Sequence, residues 1–569
     1  MKNWKEQLDD IKRALRGAVS RKKPDEKPTA VDFEPPKSWL ADDPSASKRS
    51  DGPKGKSHHA LNSSKTNHRR TSLHHRAVQV DRTPAQGLAA SSAGKSLSEK
   101  LPEPSNGAAP PPVFRPHIDE TLFLVMPEWS DAGRWLQHPD RRGGSAAPLS
   151  VRIGVDFGTA FTKVAIRAGP DLVPVDWSAV TGDESQTGRY VMPGLVVRSS
   201  GGEYSWRRVP GSDIQRNLKL PVIEMAGSDQ CPTATLAYLA LAIRYSRGFL
   251  YRHPEVGRKL MARSLRWELN IGCPTEPHEK PEVVQLFRRI ARTAWHLAAF
   301  GNLMESDIAT AWRTADTDVG LETEPGVVPE FVAQIAGYLG SPQVTEGMHA
   351  LIDIGAATLD VATFNIVSGT AIEPSPRIPI FFSAVRPLGT HYLNHNRHSR
   401  LELAFQWDDG APVESADEFA RRNGKLRSEI NGADSDFVNE VASCIFGVIN
   451  GTRTSSWGDP RSPAWREGLP IFVTGGGSDC ELYRSAIERV QMRLKQALIE
   501  PTRFRFIELD PLGARVPSFG IEVAARLTVA IGLTEDSENI ARVVPHSAIE
   551  PITRPVRERV DHTELYGDG

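Results

Sequence analysis

Cysteine is scarce in this chain: four residues in 569, Cys231, Cys273, Cys444 and Cys480, with no CxxC pair among them. This excludes a disulfide framework and a thiolate-built zinc site, and it fits a reducing cytosol. Long apolar runs are missing too. None reaches the ~18 residues of a membrane span, and the N-terminus has no apolar signal core. The chain reads as soluble and cytoplasmic, with no membrane partner. Aromatics are almost absent from positions 21–112, where only Phe33 and Trp39 occur. That stretch is rich in Pro, Ser, Lys, His and Ala. It cannot bury enough apolar surface to offset its chain entropy, so disorder is expected. Net charge is only −1 but is unevenly divided: residues 1–115 carry 22 Lys and Arg against 13 Asp and Glu, the remainder 47 against 57.

What is present falls into five segments. In residues 1–20, Trp4, Leu8, Ile11, Leu15 and Val19 recur at helical spacing. A short amphipathic helix there would dock in a partner groove or pack on its own globular domain. Residues 21–112 form the disordered basic Pro/Ser-rich linker. Its histidines, among them His58, His59, His74 and His75, have no metal-ligand spacing, and a solvated linker is favoured over a nucleic-acid site. Residues 113–150 are an extension, with a short strand at 121–125 and a turn and short helix at 129–138. Residues 151–535 form one large α/β domain, and 536–569 a polar tail. The partner expected from this layout is an unknown protein, met through the N-terminal helix or the basic arm.

The domain is organised around Val151 to Arg167, VRIGVDFGTAFTKVAIR. Val151, Ile153 and Val155 alternate with Arg152, Gly154 and Asp156, the period of a half-buried strand. Gly158, Thr159 and Ala160 make a small-residue turn before a second apolar strand. Small turn residues let backbone N–H groups close in on an anion, and Thr159, Thr162 and Lys163 add hydroxyls and a positive charge. The unit repeats at Ala350 to Ile366, ALIDIGAATLDVATFNI, so that Asp353, Gly355, Ala356 and Ala357 follow Asp156, Gly158, Thr159 and Ala160 at an offset of 197. Two such hairpins facing each other would hold a polyphosphate, with Asp156 and Asp353 facing its metal ion. A third glycine turn, Gly475, Gly476 and Gly477 with Ser478, joins an apolar strand to a helix at 480–498, a geometry suited to a phosphate or nucleoside.

The paired hairpins resemble the two phosphate loops of the actin, sugar-kinase and DnaK-type ATPase superfamily. D-I-G-x-x-T-x-D, from Asp353 on, looks most like the nucleotide-binding domain of the DnaK-type heat-shock chaperones. The resemblance covers about 150–535 and implies a two-lobed α/β fold with duplicated subdomains, ATP or ADP in the interlobe cleft, and Mg²⁺ on Asp156 and Asp353. It implies phosphate contacts from Thr159 and Thr358, and a catalytic lysine at Lys219 (DnaK context) or Lys163 (actin context). It also places an acid near the metal at Glu324, with Glu330 as competitor and Gln334 as a water-orienting glutamine, and puts the 475–478 turn under adenosine. Adenine contacts stay unassigned. Ala160 and Phe161 replace the family's Thr-Asn, and Phe161 is expected to fill a core gap. These departures imply slow hydrolysis, or binding with little turnover. A full chaperone carries a peptide-binding domain after the ATPase; none is expected here. The function expected is a DnaK-like ATPase switch serving a partner. An actin-like filament-forming ATPase and a small-molecule kinase of the same superfamily are the alternatives.

Overall fold

The computed structural model describes residues 124–143, 146–185, 188–314, 320–370, 374–405, 413–455, 462–497, 502–509, 521–536 and 540–549. The readings made for residues 1–20 and 21–112, and for the tail beyond residue 549, lie outside them. Among the described residues, sixteen strands form three sheets. The first contains β1 (Leu149–Phe157), β2 (Phe161–Ala168), β3 (Asp171–Pro174), β4 (Met192–Pro193), β8 (Leu265–Cys273) and β10 (Gly326–Pro329). Its path runs β10-β8-β1-β2-β3, with β4 paired to β2. The second contains β11 (Gly347–Ile354), β12 (Leu359–Ile366), β13 (Arg377–Arg386), β14 (Leu469–Thr474), β15 (Phe504–Phe506) and β16 (Arg542–Val544), in the order β15-β14-β11-β12-β13-β16. A small sheet, β7-β5-β6-β9, is built from β5 (Leu195–Arg198), β6 (Glu203–Ser205), β7 (Asp213–Arg216) and β9 (Leu303–Met304).

The two large sheets repeat one plan. In each, an antiparallel hairpin continues into a third antiparallel strand, and two parallel strands join the hairpin's other side. This is the duplicated two-lobed α/β architecture. Apolar alternation explains the strands: Val151, Ile153 and Val155 are buried on β1, and Ile352 and Ile354 on β11.

Each sheet buries both faces. The outer face of the first carries helices Thr233–Arg252 and Pro281–Leu297; that of the second carries Arg427–Thr454 and Glu481–Ala497. The inner faces are covered by crossed helices. Glu330–Leu339 follows β10 of the first lobe, yet packs Phe331 and Ile335 against Leu351, Phe364 and Phe472 of the second. Ile521–Arg526 and Thr528–Gly532 come from the chain's far end and pack Val523, Leu527 and Ala530 against Ala165 of the first. The crossing helices meet backbone to backbone: a Cβ on Gly532 would stand 2.0 Å from the Ala333 carbonyl oxygen.

Residues 124–142 are a fixed part of the first lobe. A helical turn, Glu128–Arg134, lies along Thr233–Arg252, with Trp129 5.0 Å from Tyr245 between ring centroids. The Gln137 side chain exchanges two hydrogen bonds with the Leu265 backbone, at 3.0 and 2.9 Å. The parallel strand before helix Glu330–Leu339 is Gly326–Pro329, which registers on Asn270 to Cys273 of β8. One sequence reading is corrected. Arg542–Val544, read as tail, adds β16 parallel to β13, with Ile540 and Ala541 buried beside it.

Candidate functional site

A cleft of about 1590 Å³ lies between the lobes, and both hairpin turns line it. Gly158, Thr159, Ala160 and Lys163 face it from the first lobe, Asp353, Gly355, Ala356 and Thr358 from the second, with Gly475, Gly476 and Ser478 beside them. The second turn is anchored from behind. The N–H groups of Gly389, Thr390 and His391, at the start of helix Thr390–Arg400, donate to the carbonyls of Ala357, Gly355 and Ala356 at 3.0, 3.1 and 2.7 Å. A Cβ on Gly389 would come within 2.5 Å of that backbone, so only glycine permits the approach. Carbonyls held this way leave the turn's opposite, N–H edge for an anion. Gly475 sits at φ +89° against Asp353 and Ile354, where a side chain would be strained and crowded.

The floor holds four carboxylates and two ammonium groups. Lys163 Nζ donates to Asp156 Oδ2 at 2.6 Å, across the first hairpin. Lys219 Nζ donates to Glu330 Oε1 at 2.5 Å, and Lys219 is buried. Burial alone would lower the Lys219 ammonium, but the Glu330 charge and hydrogen bond outweigh it and hold it above its usual value. Gln334 stands one turn after Glu330 and donates from Nε2 to Asp353 Oδ2 at 2.8 Å. Burial raises the Asp353 carboxyl, opposed by Gln334 and by the Lys163 charge. Asp360 Oδ2 accepts from the Thr275 amide and hydroxyl at 3.2 and 3.0 Å, and burial lifts its carboxyl to about 7. Gln334 Oε1 and Asp360 Oδ1 are buried with no hydrogen-bond partner.

The nominated residues divide. Asp156, Asp353, Lys163 and Lys219 meet on this floor, as do the turn residues named above. Glu324 does not: it is exposed and pairs with Arg292. Glu330, delivered by the end of β10, takes the position. Thr162 points into the core beside Tyr238, and Ala357 is buried. Gly477 packs on Ile354 and Thr390, its N–H donating to the Ile354 carbonyl. Phe161, expected in the core, lines the cleft instead. Strand parity carries that signal: Thr162, Val164 and Ile166 are buried on one face of β2, which leaves Phe161 with Lys163 on the other. Sequence reading held Asp360 only as the last residue of D-I-G-x-x-T-x-D, with no role, and missed Thr275. It also missed the far wall, where Asn431, Asp434 and Ser435 on helix Arg427–Thr454 face Ser485 and Arg489. There Arg397 binds Asp434 in a buried bidentate pair at 2.6 and 2.8 Å.

A hydrated divalent cation fits this floor. Carboxylates outnumber ammonium groups, and two buried acceptor oxygens are unpartnered. Among the described residues no three His, Cys, Asp or Glu side chains converge to ligate a metal directly, so a cation here would be held through water. Among them, too, no helix is long and apolar enough to cross a membrane.

No family model matches the chain, and no curated protein matches its sequence. Among solved structures it is similar to MreB5 of Spiroplasma citri bound to ADP: 12% identity, 67% of this chain and 94% of that one, TM-score 0.33. It is similar to a non-polymerisable quadruple mutant of pCBH ParM, at 12% identity over 68% and 98%, TM-score 0.35. It is also similar to the ethanolamine utilization protein EutJ from Carboxydothermus hydrogenoformans, at 13% identity over 70% and 93%, TM-score 0.28.

Proposed function

We propose that this protein binds ATP or ADP in the interlobe cleft and serves as a slowly hydrolysing, nucleotide-dependent switch for a partner protein. One observation carries the reading: two topologically equivalent turns, each headed by a strand-end aspartate, line the same cleft from opposite lobes. Phosphoryl transfer needs positioning and charge neutralisation more than covalent help. Mg²⁺, when bound, supplies that neutralisation; Asp156 and Asp353 would hold its waters. Lys163 and Lys219 place positive charge beside the phosphate turns, and Thr159 and Thr358 offer hydroxyls. Slow turnover is supported by the pairing on the floor. Asp156 and Glu330 are each held by an ammonium group and Asp353 by Gln334, which ties up carboxylates that would otherwise take a proton from water.

Lys163 in contact with Asp156 favours, as a second reading, an actin-like filament; nucleotide-dependent sedimentation separates a filament from a monomeric switch. The test of the main reading is calorimetry on the full chain with ATP and ADP, with and without Mg²⁺. Binding strengthened by Mg²⁺, and lost in Asp156→Asn and Asp353→Asn without a change of fold, is expected. No adenine nucleotide bound at millimolar concentration overturns it.

A further inference from the structure

The two hairpins differ at one matched position. Cross-strand register pairs Asp156 with Lys163 in the first and Asp353 with Asp360 in the second. The first hairpin neutralises its own acid. The second doubles it, and Asp360 turns to the other lobe for partners. Its Oδ2 accepts both donors of Thr275, the residue that follows β8 and Pro274 of the first lobe, while Oδ1 has no hydrogen-bond partner and the residue lines the cleft.

Thr275 opens a short bridge between the lobes. Glu276 accepts from the Val385 amide at 2.7 Å and from Arg386 Nη1 at 3.0 Å, both on the last residues of β13. Ser383 Oγ donates to Glu279 Oε1 at 3.4 Å. On its own side the bridge is tied down by His278, whose Nε2 lies 3.2 Å from the Val327 carbonyl of β10. A rigid turn of the first lobe is thus clasped to the edge of the second, and Asp360 belongs to both the clasp and the cleft.

We propose that Asp360 is a positioning residue that couples occupancy of the cleft to this bridge: a donor arriving at Oδ1, such as a cation-bound water, fixes the carboxylate with Oδ2 on Thr275 and tightens the lobes against each other. The proposal rests on nucleotide binding in the cleft. Coupling is reciprocal: by whatever factor ligand strengthens the clasp, loss of the clasp weakens ligand binding.

The experiment uses the full chain. Thr275→Val removes one donor to Asp360 with little change of volume and replaces no cleft-lining residue. Thr275→Ser retains that donor. Hydrogen exchange is followed over 274–280 and 380–388 with and without Mg-ATP, and ATP affinity is measured by calorimetry. In the wild type, Mg-ATP should slow exchange in both segments. In Thr275→Val, affinity should fall roughly fivefold or more and the protection should be lost, with Thr275→Ser near wild type. If the wild type binds Mg-ATP but its exchange is unchanged, or Thr275→Val binds as tightly as the wild type, the coupling is refuted while nucleotide binding stands. If the wild type takes up no adenine nucleotide, the nucleotide reading falls and the coupling with it.

Discussion

The Asp156 and Asp353 hairpins share a backbone plan and differ in how their charge is settled. Asp156 meets Lys163 within its own hairpin, at 2.6 Å. Asp353 faces a second acid, and its hydrogen bond comes from Gln334, on a helix that begins at the end of the first sheet. The turns are braced differently as well. The first leans on a strand edge, where the Gly194 N–H donates to the Ala160 carbonyl at 2.7 Å; the second leans on the start of helix Thr390–Arg400. A duplicated scaffold has thus kept its geometry and divided its labour. One hairpin is electrostatically complete, and the other depends on groups that the first lobe or a ligand must supply.

Breaking a neutralised pair should have the largest effect. Lys219→Met leaves the largely buried Glu330, 15% exposed, without a counter-charge and should cost about 3 kcal/mol, read by urea denaturation, while Lys219→Met with Glu330→Gln recovers most of it. The doubly acidic hairpin should show itself in the pH dependence. The Asp360 carboxyl is raised to about 7 by burial, so the folded state holds a proton that the unfolded chain releases near pH ~4. Its contribution is full below the unfolded value and is lost as pH rises through the folded one. Unfolding free energy should therefore fall between pH ~4 and ~7, by an amount on the order of 2–4 kcal/mol. Asp360→Asn, whose amide oxygen still accepts from Thr275, should flatten that slope.

The braces give a smaller contrast. Gly389→Ala forces a methyl group against the 355–357 backbone and should cost about 1–3 kcal/mol, with weakened ATP binding. Gly182→Ala, at φ +71° where Gly389 is not, and with open space around its Cβ, should cost about 1–2 kcal/mol from backbone strain alone and leave binding unchanged. The smallest effect belongs to Glu324→Ala. It removes an exposed pair with Arg292 and should change stability by at most ~1 kcal/mol, with no change in ATP affinity. A large loss of affinity there would restore Glu324 to the site in place of Glu330.

How far the sequence was legible follows the range of the interactions. The hairpins are local objects, and their alternation with an acid and a glycine turn locates both within a few residues. Phe161 was legible in principle, since strand parity puts it on the side of Lys163. Glu324 was placed ahead of Glu330 because β10 is only four residues long, preceded by Pro325 and ended by Pro329, which masks its period. Thr275 and Asp360 lie 85 positions apart in sequence, and nothing in either neighbourhood marks the other. The helical turn of the 124–142 segment was read, but not what it packs against, since Trp129 and Gln137 find their partners more than a hundred residues later.

The crossed helices have a consequence for how the chain acquires its structure. The inner face of the first sheet, at Gly154 and Ala165, is covered by residues 521–532, and a Cβ on Gly154 would stand 2.4 Å from the Ala530 carbonyl oxygen. During synthesis that apolar face must wait for more than three hundred further residues before its cover exists. The second sheet's inner face, in turn, is covered by a helix made before any strand of that sheet. Neither lobe can finish alone, and contacts of such separation slow the search for the native state. The two lobes should therefore melt in one cooperative transition, and a newly made first lobe, open on one side, is the stage at which this protein is most exposed to aggregation.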